Sequence, residues 1–161
     1  MKQRITERGA LGMKLFNEGY NCAQSSFLAF NELVPIEFDL AAKLSSSFGG
    51  GMGRMREVCG ALTGIFMIAG ILYGYDDKNA TDEKAKHYER IQFLSNRFKE
   101  NTECNSYICR DLLHLDIEGA DSPVPAKRDE NYYGVRPCAN LVAIAVSILD
   151  DYIKEHPYNR Y

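Results

Sequence analysis

The 161-residue sequence has no apolar run long enough to cross a bilayer and no basic excess. It also shows almost no alternation of apolar and polar residues and contains no Cys-x-x-Cys pair. Each absence removes a class of protein. The longest apolar run, Val58 to Tyr73, has 16 residues and is interrupted by Gly60, Thr63, Gly64 and Gly70. A membrane helix needs about 20 predominantly apolar residues, so the run is expected to be a buried helix, and no membrane is expected as a partner. A net charge of -3 and a pI near 5.6 leave no basic footprint for nucleic acid. The charged segment Met1–Phe16 does not read as a secretory signal, so a cytoplasmic protein is expected. Without Cys-x-x-Cys there is no thioredoxin-type site, and without Cys-x-x-Cys-His no covalent haem attachment.

The residues that are present, 45% of them hydrophobic, suffice for one core. A single all-α domain spanning residues 1–161 is expected, a bundle of about five to seven helices around a central apolar one. Helix one runs from Thr6 to Glu18, with Gly19 as its stop. Helix two opens at Asn21, with Gln24 completing a capping-box pattern, and continues towards Pro35. Asp39 is expected to cap a third helix that carries Leu40, Leu44 and Phe48 and stops at Gly49–Gly51. The fourth is the apolar helix, with Cys59 just inside its start. Ala85, Tyr88, Ile91, Leu94 and Phe98 mark the inner face of a fifth, opening near Thr81. A short sixth follows Asn105–Ser106, and the last runs from about Pro137 to Ile153. The segment 116–136 lacks helical periodicity. Long loops tend to be functional or disordered, and this one joins Cys109 to Cys138, which suits a covering role or a plain surface loop.

Five cysteines are an odd number in a chain of this size, a poor fit to a secreted disulfide scaffold. Four of them, Cys22, Cys59, Cys109 and Cys138, fall at or near expected helix starts, separated in turn by 36, 49 and 28 residues. Free N–H groups and the positive end of the helix dipole favour a thiolate there, the form that binds metal or attacks disulfides. An antiparallel bundle can bring such starts together. Taken singly, each cysteine reads better as a small buried hydrophobe, and it is the four together that shift the balance. Gly60 and Gly64 share a helix face, which permits close helix packing or, at Gly60, clears space beside a cofactor at Cys59.

The stretch Phe48–Arg54, FGGGMGR, lacks the pattern and preceding strand of a phosphate loop. Its glycines suit a sharp turn close to the cysteines, with Arg54 and Arg56 either offsetting negative charge there or solvated at the surface. His87 is expected on a solvated helix face and His156 near a helix end; His114 lies a turn and a half beyond Cys109 without a partner motif.

The pieces GYNCAQ (19–24), FGGGMGR (48–54), CGALTG (59–64), CRDLL (109–113) and Cys138 together resemble the redox-active proteins of the C_GCAxxG_C_C family over about residues 6–150. The second motif reads Cys-Gly here where the family's name has Gly-Cys, and Cys104 stands outside the pattern. The resemblance implies Cys22, Cys59, Cys109 and Cys138 as ligands of an iron–sulfur cluster or other metal, zinc included. Gly60 and Arg54 would lie beside the cofactor. It also implies electron transfer with a redox partner protein; a homodimer is a further expectation. The alternatives left open are a thiol–disulfide protein using reversible cysteine pairs, a zinc-stabilised structural or interaction protein, and a plain bundle with buried cysteines.

Overall fold

The computed structural model describes residues 2–159, and among these the regular structure is entirely helical. Local signals start most elements where the sequence marks them. Thr6 caps α1 (Glu7–Asn17), its Oγ1 accepting from the Gly9 N–H at 3.1 Å. Asn21 and Gln24 form the reciprocal box that opens α2 (Cys22–Leu28). In it the Gln24 N–H donates to Asn21 Oδ1 at 2.9 Å and the Asn21 N–H to Gln24 Oε1 at 3.0 Å. This helix ends sooner than expected: the chain tightens into a 3-10 turn, Asn31–Leu33, that tucks Phe30 fully under the Arg8 guanidinium.

α3 (Phe38–Ser46) corrects the expected register. Asp39 lies in its first turn, and the capping position belongs to Glu37, which makes no side-chain bond. Leu40 and Leu44 face outward, and Ala41 and Ser45 form the buried side. Small residues let α3 lie close against α2, and the Ser45 hydroxyl satisfies itself on the Ala41 carbonyl at 2.7 Å. The next turn, α4 (Gly49–Met52), has a left-handed backbone: Gly50, Gly51, Met52, Gly53 and Arg54 have φ of +68°, +69°, +67°, +62° and +64°. Such a run costs about 1–2 kcal/mol at each residue bearing a Cβ, which is why three of the five are glycine.

The apolar helix α5 (Gly60–Tyr73) occupies the centre, as the run 58–73 leads one to expect, with Leu62, Ile65, Ile68 and Ala69 fully buried. Gly60 and Gly64 face α2: a Cβ on Gly64 would strike the Ala23 carbonyl and the Ser26 side chain. The centre is shared with α9 (Cys138–Glu155), in which every residue from Leu141 to Asp150 is buried. Between them α6 (Thr81–Lys99) packs Leu94 and Phe98 inward, but its inner face also takes His87, while Tyr88 and Ala85 are exposed. His87 is thus not on a solvated face. It sits beside the Tyr75 ring and Arg90, and burial, then the Arg90 charge, hold its pKa low. The core side chains Phe27, Leu62, Ile65, Leu94, Phe98, Val142 and Leu149 form one cluster, each contributing on the order of 1.5–3 kcal/mol by burial. Two short helices complete the chain, α7 (Cys109–Leu112) and α8 (Glu130–Val135); the second lies within the segment expected to have no helical order.

Candidate functional site

Each of the four selected cysteines stands at the first turn of a different helix. Cys22, Cys109 and Cys138 are the first residues of α2, α7 and α9. Cys59 is the N-cap of α5, one position outside the helix rather than just inside it. All four line one cavity of ≈ 60 Å³ at one end of the bundle. Cys104 is exposed and lines a different depression together with His114.

A two-residue antiparallel pairing, Val58 with Ile108, brings the second and third cysteines together. The Cys59 N–H donates to the Tyr107 carbonyl at 2.9 Å and the Cys109 N–H to the Glu57 carbonyl at 2.6 Å. Arg110 reinforces the junction, reaching the Arg56 carbonyl and the Glu57 carboxylate. The glycines supply clearance. A Cβ on Gly51 would come within 2.6 Å of Cys109 Cβ, and one on Gly60 would collide with Cys22 Sγ. Gly60 therefore permits the close approach of α2 and α5 and leaves room for the Cys22 sulfur.

Three arginines complete the wall. Arg56, buried with φ +60°, places Nη1 3.7 Å from Cys109 Sγ while its Nη2 holds Asp121 Oδ2 at 2.8 Å. Arg54 lies one step further out. Its Nη2 meets the same Asp121 oxygen at 2.9 Å and its Nε donates to the Ser122 carbonyl. Together they pin the segment 116–136, which then returns across the site. Arg128 donates to the Phe16 and Tyr20 carbonyls and lies over the Phe16 and Tyr132 rings. Arg136 lies over Tyr132 from the other side of α8. The segment thus adopts the covering arrangement. Arg128, Tyr132 and Arg136 were not singled out in the sequence; the length of the segment joining two cysteines was the signal available.

Burial opposes the expected ionisation of Cys59, Cys109 and Cys138. Cys59 is pushed well up by desolvation, then by its three neighbouring cysteines. Cys138 is raised to about 12 by desolvation and then by Cys22 and Cys109, against the opposing charges of Arg136 and Arg128. Cys109 is also raised by burial, though Arg56 pulls it back. A helix N-terminus is worth a fraction of a kcal/mol at the surface and up to ~2 kcal/mol when partly buried, which does not offset removal from water here. Among the described residues no three Cys, His, Asp or Glu side chains already surround a single point as ligands of one ion. The sulfurs instead ring a void.

Fold and site together define an all-helical protein built around a four-cysteine cavity. The chain belongs to the C_GCAxxG_C_C family: the family model, described as "Putative redox-active protein (C_GCAxxG_C_C)", matches residues 20–152. Searches of curated proteins and of solved structures give no match. Among the described residues no helix is long and apolar enough to cross a membrane.

Proposed function

We propose that Cys22, Cys59, Cys109 and Cys138 hold an iron–sulfur cluster and that the protein carries electrons. The observation that supports this most is the convergence of four thiols, from four helix starts, on one cavity walled by Arg56, Arg128 and Arg136. Four cysteines on one cavity offer the donor set that iron–sulfur clusters use. When bound, a cluster supplies one-electron chemistry at a potential set by its charge, hydrogen bonds and exposure. The chain's own part is to bind, shield and balance charge. The rigid ends of α5 and α9 fix Cys59 and Cys138, Phe16, Leu112 and Leu141 exclude water, and Arg56 donates towards Cys109 Sγ. Ligands bind as thiolates, so loading releases protons. The reading also entails a redox partner protein, a cytoplasmic setting and, as a further part, a homodimer.

The test is anaerobic purification followed by iron, zinc and acid-labile sulfide analysis and a visible spectrum. Iron with matching sulfide and charge-transfer absorption is the expected result; zinc without sulfide points to a structural site and overturns electron transfer. A second reading is thiol–disulfide exchange, motivated by four free thiols lining one cavity. Absence of metal, with a thiol titre that falls by two or four on oxidation, would establish it instead.

A further inference from the structure

Outside the cysteine cavity lies a second, half-open cleft of ≈ 310 Å³, within the lower range of small-molecule sites. The two hollows share Arg56, Arg128, Tyr132 and Arg136 as a common wall, but no cysteine lines the outer one. Its remaining rim comes from the glycine turn, Arg54, Ser46 and the prolines Pro123 and Pro125.

The charge of this cleft is not balanced by the protein. Four guanidiniums line it, and Asp121 is the one carboxylate paired with any of them among the described residues. Asp121 Oδ2 is shared between Arg54 and Arg56, and Oδ1 accepts from the Ser122 N–H. Arg128 spends its donors on two backbone carbonyls and the Tyr133 hydroxyl, which satisfy its hydrogen bonds but not its charge. Arg136 contacts the Tyr132 ring and takes part in no ion pair among the described residues. Clefts lined by charge of one sign concentrate the opposite ion, and planar guanidinium forks match the oxygens of carboxylate, sulfate and phosphate groups. A cofactor held by the cysteines would use the inner side of these arginines. Arg54 lines only the outer cleft.

We propose that this cleft binds a small oxyanion between Arg54, Arg128 and Arg136, at the mouth of the cysteine cavity. A negatively charged cluster on the cysteines would draw on the charge of Arg56, Arg128 and Arg136 and weaken the site, while leaving Arg54 to it.

Calorimetric titration of the anaerobically purified protein with sulfate, phosphate and succinate, at ionic strength fixed with chloride, tests it. Saturable binding of at least one anion is expected, about tenfold or more weaker in Arg136→Gln and in Arg54→Gln, as loss of a charged hydrogen-bond donor implies. Arg97→Gln, on the exposed face of α6, should bind as the unaltered protein does. The bound anion should also slow alkylation of the cysteines by a neutral reagent. Sulfate or phosphate binding without succinate binding identifies an inorganic ligand, and the converse an organic acid; either supports the site. No saturable binding of any of the three, or equal affinity in both arginine variants, overturns it. Metal content measured on the same samples reports separately on the cluster.

Discussion

The two ends of α9 treat arginine in opposite ways. At its C-terminal end Arg8 meets Asp150 at 3.2 Å, Glu32 at 2.7 Å and the Ala29 carbonyl at 2.7 Å, and lies 5.0 Å from the Phe30 ring centre. Its charge is answered by two carboxylates. At the N-terminal end four guanidiniums line one cleft, and Asp121 pairs with two of them, Arg54 and Arg56. The same fold therefore holds one end that is electrostatically closed and one whose arginines outnumber their carboxylate partners beside four cysteines. A closed end contributes to stability alone; an open end has unspent capacity to hold an anion or an electron-rich centre.

The comparison is broken most severely at the cysteine end. Cys59→Ser removes a ligand fixed on the central helix, and near-complete loss of iron and sulfide is expected by elemental analysis. Retention of a full complement would remove Cys59 from the ligand set. Gly60→Ala is expected to act almost as strongly without touching a ligand. The added methyl collides with Cys22 Sγ and lies 2.9 Å from the Phe48 carbonyl, so Cys22 must move and the helices α2 and α5 must part. Overpacking of this kind costs about 1–3 kcal/mol. Thermal unfolding should show that loss, and cofactor content should fall with it; unchanged values for both would mean that the sulfur has room to turn aside.

Much of this end is legible in the sequence, because helix starts are written locally. Asn21 with Gln24, and Pro137 before Cys138, announce N-termini by chemistry within four residues. What is not legible depends on partners far along the chain. The pairing of Val58 with Ile108 joins segments 50 residues apart and leaves no periodic trace. Arg56 and Asp121 are related only through a buried bond, and nothing in FGGGMGR tells which arginine turns towards sulfur. Elsewhere the error was one of face: Leu40 and Leu44 carry the helical spacing, but Ala41 and Ser45 are the residues small enough to fit against α2. The shifts of Cys59, Cys109 and Cys138 are hidden from the sequence for a related reason. The dipole is a property of the helix start, while desolvation depends on what packs over it.

At the closed end the expected effects are smaller. Burial works against the charged form of Asp150, but hydrogen bonds from Lys154, Thr6 and Arg8 outweigh it and hold its pKa low. A carboxylate with a lowered native pKa stabilises the fold fully above its unfolded value, about 3.9, and loses that contribution as pH falls through the native one. Asp150→Asn should therefore cost about 1.5–3 kcal/mol near neutrality, the range for a charged hydrogen bond. The difference in melting temperature from the unaltered protein should narrow below about pH 4. A gap that stays constant down to pH 2 would show that the amide disturbs packing rather than charge.

The smallest effect is expected at Cys104, and it sharpens the contrast between cysteines that share a site and one that does not. Its side chain is exposed and lines a depression with His114, outside the cavity formed by the other four. Exposed positions away from buried networks change stability by less than about 0.5 kcal/mol. Cys104→Ser should leave melting temperature, iron and sulfide unchanged, and should lower the count of rapidly alkylated thiols by one. Loss of cofactor in this variant would mean that the ligand set draws on a cysteine outside the cavity, and that the loop between α6 and α7 must move to bring it in.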